Sequence, residues 1–176
     1  MMRWYEDTAA RRFIWFGYLP WLAALSLAWE IAQLPLYTLW YENAAGYIAF
    51  SVAHCAAGDV VIGLASLLVV LTLTQERARV HWRRRRIALG TALLGVGYTI
   101  FSEWMNIAIL GSWAYAPAMP TIDAAGFELG LSPLAQWLVV PSLALCLPGH
   151  PGIPVPGRTR TTIEAQSCDV DPPTEV

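Results

Sequence analysis

Apolar residues gather into four long runs, and almost every charged side chain lies between or beyond them. The runs cover 13–33, 47–74, 87–110 and 131–147, or 21, 28, 24 and 17 residues. About 20 apolar residues, at ~1.5 Å rise each, cross the roughly 30 Å hydrocarbon core of a bilayer. The pattern therefore predicts an all-α fold: a polytopic membrane protein whose four transmembrane helices form one compact bundle over residues 1–147. Pro20 predicts a kink in the first run, and Pro133 and Pro141 make the fourth the least regular. The fourth has an alternative start near Phe127. Residues 148–176 are dense in Pro and Gly, turn acidic at Glu164, Asp169, Asp171 and Glu175, and read as a disordered cytoplasmic tail.

Composition agrees, since 56% hydrophobic with 14% charged lies outside the soluble mixture. Net charge is only −2, so a nucleic-acid partner is not expected. The 11 basic residues are all arginine, and their placement sets the orientation. They occupy the N-terminus (Arg3, Arg11, Arg12), the link between the second and third runs (Arg77 to Arg86) and the tail (Arg158, Arg160). The other two links, 34–46 and 111–130, hold none. Basic residues in short loops stay cytoplasmic, so both termini are read as cytoplasmic, in a bacterial inner membrane. A competing reading makes the first run a signal peptide, cleaved after Ser26-Leu27-Ala28.

Cys55, Cys146 and Cys168 lack metal-type spacing and read as reduced thiols. There is no P-loop, dinucleotide fingerprint or nucleophile elbow, and neither a cofactor nor a metal is expected. An iron-dependent lipid hydroxylase needs many imidazoles, and the chain has three, of which His81 and His150 fall outside the runs.

Ionisable groups inside a span cost several kcal/mol unless paired or hydrated, and by default mark function. Glu30, His54, Asp59 and Glu103 are such groups. With the orientation fixed, they and Gln33, Asn106 and Gln136 fall at overlapping depths in the outer half of the bundle. Ser26, Glu30 and Gln33 form one helical stripe and Thr99, Glu103 and Asn106 another. One outward-facing polar pocket is the economical account. The bland alternative is interhelical hydrogen bonding, helped by Gly58, Gly63, Gly90, Gly95 and Gly97. Aromatic residues concentrate at the same level. Trp29 adjoins Glu30, Trp104 adjoins Glu103, and Trp113 and Tyr115 open the long third link, so the pocket is expected to carry an aromatic rim.

In that region, Trp113-Ala114-Tyr115 is followed by Gly126, Gly130 and then Pro133 at the start of a helix. Over residues 103–147 this resembles the lycopene cyclase-type membrane domains of carotenoid biosynthesis. Where that family carries paired glutamates, this chain has Ala135 and Gln136. The resemblance implies proton-transfer chemistry on an isoprenoid or other lipid-soluble substrate, of isomerase or cyclase type. An acid protonates a double bond, a base removes a proton elsewhere, and aromatic faces shelter the cation between. By type and depth, Glu103 or Asp59 would be the acid and His54 or Glu30 the base. Asn106, Gln33, Gln136, Trp104, Trp113, Tyr115 and Trp29 would hold the substrate. The expected partners are membrane lipids, a lipid-soluble substrate, and either further copies of the chain or a partner membrane subunit. Two other readings use the same residues: a non-catalytic accessory subunit, and a small proton or cation transporter, which would act as an oligomer.

Overall fold

A computed structural model describes residues 3–76, 78–124 and 126–148. Apart from Pro148, the predicted tail lies outside the described residues, as do Arg77, His150 and Cys168.

The first apolar run belongs to one rod, Thr8–Leu36. It comprises α1 (Thr8–Phe13), a π-helical turn (Ile14–Tyr18), α2 (Leu19–Gln33) and a 3₁₀ turn (Leu34–Leu36). Asp7 caps its start, accepting the Ala9 N–H at 3.0 Å. The widened turn ends just before Pro20, which has no N–H to donate and crowds the carbonyl four residues back. A π turn therefore stands where a kink was expected, and Pro20 occupies the first turn of α2.

A single turn, α3 (Leu39–Glu42), leads into α4 (Ala45–Leu73), a helix of 29 residues. After the arginine-rich link come α5 (Arg84–Glu103), its π-helical extension (Trp104–Ile109) and finally α6 (Leu131–Cys146). Thr8–Leu36, Ala45–Leu73 and Arg84–Ile109 are long and apolar enough to cross a membrane, while α6 is apolar but shorter, with 16 residues. The alternative start near Phe127 is corrected, because those residues are extended. Strands β1 (Thr121–Ala124) and β2 (Phe127–Gly130) form an antiparallel hairpin, and the fourth helix begins only at Leu131. Pro133 sits in its first turn, where no N–H bond is needed, and the helix continues through Pro141.

Around the bundle, α2 packs on α4 and α6, and α5 packs on the same two helices from the opposite corner. The apolar core fills the end nearest the arginines. Tyr18, Leu22, Leu67, Leu71, Ile87 and Ala144 are almost wholly enclosed there. Small residues set the spacing: a methyl added at Gly63 would come within 2.8 Å of Leu22, and one at Gly90 within 2.9 Å of Val70. Gly95 is tighter still, since its added carbon would lie 2.0 Å from the Trp137 ring. Gly58 and Gly97, grouped with these by sequence, face open space instead. This end also holds buried hydroxyl groups: Tyr18 donates to the Gly63 carbonyl at 3.2 Å, and Ser26, Ser66 and Thr91 are enclosed.

Candidate functional site

In the other half of the bundle the four helices enclose a cavity of about 360 Å³. Each contributes a polar group. Glu30 and Gln33 come from the last turn of α2, Asp59 from α4, Glu103 from the end of α5, and Gln136 from the second turn of α6. Asp59 is 14 residues from both Ala45 and Leu73, which puts it ~21 Å from each end of α4. The π-helical turn that starts at Trp104 widens the helix one residue after Glu103, and Asn106 folds back to donate to the Ser102 carbonyl at 2.9 Å. Such turns are frequent at functional sites.

The hydrogen bonds form two groups. In one, Ser132 donates to Gln33 Oε1 at 2.9 Å, and Gln33 Nε2 donates to Glu30 Oε1 at 2.9 Å. Gln136 Nε2 crosses the bundle to donate to Asp59 Oδ2 at 2.5 Å. The Glu30 and Asp59 carboxyl groups face each other closely enough to interact, and a hydrogen bond between them forms when one of them carries a proton. The second group is built on Tyr115. Its hydroxyl accepts the Gly130 N–H at 2.8 Å, so its own proton is free to point at Glu103, to which it donates. Glu103 is therefore an acceptor at that oxygen. Gly130 favours this close approach, because a side-chain carbon there would stand 3.0 Å from the Tyr115 ring and push it aside by a few tenths of an ångström. Burial, with the Glu103 carboxyl adding to it, pushes the Tyr115 hydroxyl above the usual tyrosine range, and Tyr37 beside it is shifted the same way by burial.

Residues 111–120 form a strap across this end. The Thr38 N–H donates to Ala114 O at 3.0 Å and the Ala116 N–H to Leu36 O at 2.9 Å, pinning the strap to the link between α2 and α3. The Tyr37 and Tyr115 rings meet at 5.7 Å between centroids. The hairpin then carries the chain back to α6, with the Leu131 N–H donating to Pro120 O.

Eight of the residues singled out from sequence line this cavity: Glu30, Gln33, His54, Asp59, Glu103, Asn106, Trp113 and Gln136. Tyr115 holds Glu103 from the strap. His54 lines the cavity at its mouth, exposed and stacked on Phe50 at 5.8 Å, and has no hydrogen bond among the described residues. Two placements are corrected. Trp104 points outward, 42% exposed, and Trp29 packs against the apolar core. Successive helical residues diverge by ~100°, so a tryptophan next to an inward glutamate must turn away. Sequence reasoning missed Ser132, Tyr98 and the site role of Tyr37. Only Tyr37 carried a signal, as an aromatic at the right level. No three His, Cys, Asp or Glu side chains among the described residues are grouped to hold a metal. Comparison of the chain with protein-family models, curated proteins and solved structures finds no match.

Proposed function

We propose that this chain is an integral membrane protein of four spans, α6 being the short one. It lies in a bacterial inner membrane with its arginine end cytoplasmic, and catalyses proton transfer on a lipid-soluble, isoprenoid-like substrate. One observation carries the reading: three carboxyl groups from three helices meet at one cavity with opposite hydrogen-bond roles. The Glu30–Asp59 pair shares a proton and is the acid. Glu103, fixed as an acceptor by Tyr115, is the base. This replaces the sequence assignment, which left Glu103 open as the acid and gave the base to His54 or Glu30. Protonation of a carbon–carbon double bond by the pair gives a cation, which the Trp113, Tyr37 and Trp137 rings shelter. Glu103 takes a proton from a neighbouring carbon, a new double bond forms, and return of the proton to the pair closes the cycle. Atoms and electrons balance without an oxidant or reductant.

The resemblance to lycopene cyclase-type domains supports this reading through its motif residues. Trp113 and Pro133 line the cavity, while Tyr115 and Gly130 build the contact to Glu103. Gln136, where that family has a glutamate, donates to Asp59, so the second carboxyl comes from α4 instead.

Deuterium uptake tests the proposal. Wild-type protein, Asp59→Asn and Glu103→Gln are each held in heavy water with the total lipid of their host membrane, and the extracts are analysed by mass spectrometry. Wild type is expected to place solvent deuterium on carbon in one isoprenoid component. Each variant should do so at least ~100-fold more slowly, the lower range for loss of a general acid or base. No deuterated lipid with the wild type overturns the reading.

A further inference from the structure

The strap that closes the end of the cavity leaves open the question of how a ligand reaches the carboxyl groups. Exposure around the cavity answers it. Among its lining residues, Gln33, Thr99, Glu103, Pro133, Gln136 and Trp137 are buried, so the walls made by α2, α6 and the inner face of α5 are closed. The exposed lining residues are Tyr47, Phe50 and His54 on α4, Tyr98 on α5 and, on the strap, Ser112. The glycines agree. Toward the arginine end, α4 and α5 pack tightly where Gly90 meets Val70, whereas Gly58 on the cavity wall has nothing within 4 Å of an added carbon. The space beside Gly58 is thus left open on the α4 side of the cavity.

Resting on the lipid-substrate reading above, we propose that the cavity is entered from the side, between α4 and α5, by one end of a long unsaturated lipid chain. The remainder of that chain stays outside the protein. Size requires this: about 360 Å³ is at the low end for a drug-sized ligand and too small for a whole long-chain polyene. Depth allows it, because Asp59 lies 14 residues, ~21 Å, along α4 from its start at Ala45, within the apolar length of that helix. The chemistry of the threshold fits it as well. The Phe50 ring and the His54 imidazole stack with 21° between their planes, and with Tyr98 they border the opening with flat faces, which suit a planar conjugated chain. The exposed position of His54, at odds with a role as base, is accounted for as a doorway position that selects the shape of the entering end.

The test uses geranylgeraniol carrying a diazirine on its last isoprene unit, with the full-length protein in phosphatidylcholine–phosphatidylglycerol nanodiscs. Photolysis is expected to give adducts on Ser51, Cys55 or Ser102. The same probe with its diazirine mid-chain should label Phe50 or Tyr98. Gly58→Leu, which fills the space beside Asp59, should abolish the inner adducts and keep the mid-chain ones; Ser102→Leu repeats the test from α5. Terminal-unit adducts confined to the strap, or inner adducts undiminished in both variants, overturn side entry. The two proposals fail separately. Inner adducts without deuterium uptake leave side entry standing and remove the chemistry, while deuterium uptake with adducts only on the strap does the reverse.

Discussion

The two ends of this bundle are made by the same four helices and are held together by different physics. Near the arginines, Leu22, Leu67, Leu71 and Ile87 interlock with glycines at the crossing points, and most enclosed side chains are hydrocarbon. At the other end the helices are joined by side-chain hydrogen bonds from α2 to α6, α4 to α6 and strap to α5. The first half gains from close packing and tolerates little change of volume. The second keeps a space open, so its polar groups must be fixed by one another. A rigid half that positions helices and a hollow half that positions carboxyl groups is the division of labour expected of a site built between helices.

The comparison is broken most severely where the halves meet. Gly95 lies at that junction, and Gly95→Ala drives a carbon into the Trp137 ring, which is only 3% exposed. Ordinary overpacking costs about 1–3 kcal/mol, and a contact of 2.0 Å exceeds the ordinary case. The expected result is failure to recover folded protein by size-exclusion in detergent. Gly97→Ala, two residues on and facing open space, should behave as wild type. Equal recovery of the two variants would mean that the helices do not meet at Gly95.

A smaller effect sharpens the contrast. Leu67 is fully enclosed, and Leu67→Ala should cost about 2–5 kcal/mol with deuterium uptake retained in the fraction that stays folded. Asp59→Asn keeps the shape of the side chain and an acceptor for Gln136. Its effect on stability should stay within about 1 kcal/mol, the net worth of one hydrogen bond, while uptake collapses. Thermal denaturation followed by tryptophan fluorescence, read beside uptake, checks both. A stability loss for Asp59→Asn as large as that for Leu67→Ala would make the polar half structural.

Much of this contrast is legible in the sequence, and what is not has identifiable causes. Apolar runs give the helices because helical spans need length and hydrophobicity, both of which are additive along the chain. Depth is partly readable, since rise per residue is fixed, and it places Glu30, Asp59, Glu103 and Gln136 in the same half of the bundle. Azimuth is less readable. Each residue turns ~100° from the one before it, which leaves His54 at the mouth and Trp29 and Trp104 away from the site. The π-helical turn after Glu103 carries no sequence mark. The hairpin was hidden for another reason: Thr121–Ala124 and Phe127–Gly130 are short and weakly alternating, and they read as loop until pairing joins them.

The smallest expected effect lies in the strap that crosses the polar half. Burial, then the Glu103 carboxyl, raises the Tyr115 hydroxyl above the ordinary value of about 10. Above that pH the unfolded chain has released this proton and the native protein still holds it. With more protons bound to the native state, stability falls as pH rises, and the contribution is fully present below pH ~10. Tyr115→Phe cannot lose a proton, so it removes one such term, leaving that of Tyr37, which is shifted in the same direction. The variant should therefore lose less stability than wild type between neutral and strongly alkaline pH, even though it starts lower for want of the hydrogen bond to Glu103. Parallel thermal scans at stepped pH resolve the difference in slope. Parallel slopes would show that the hydroxyl titrates alike in native and unfolded protein, and so that the strap leaves Tyr115 open to water; a shallower slope for the variant shows the strap sealing the polar end of the bundle.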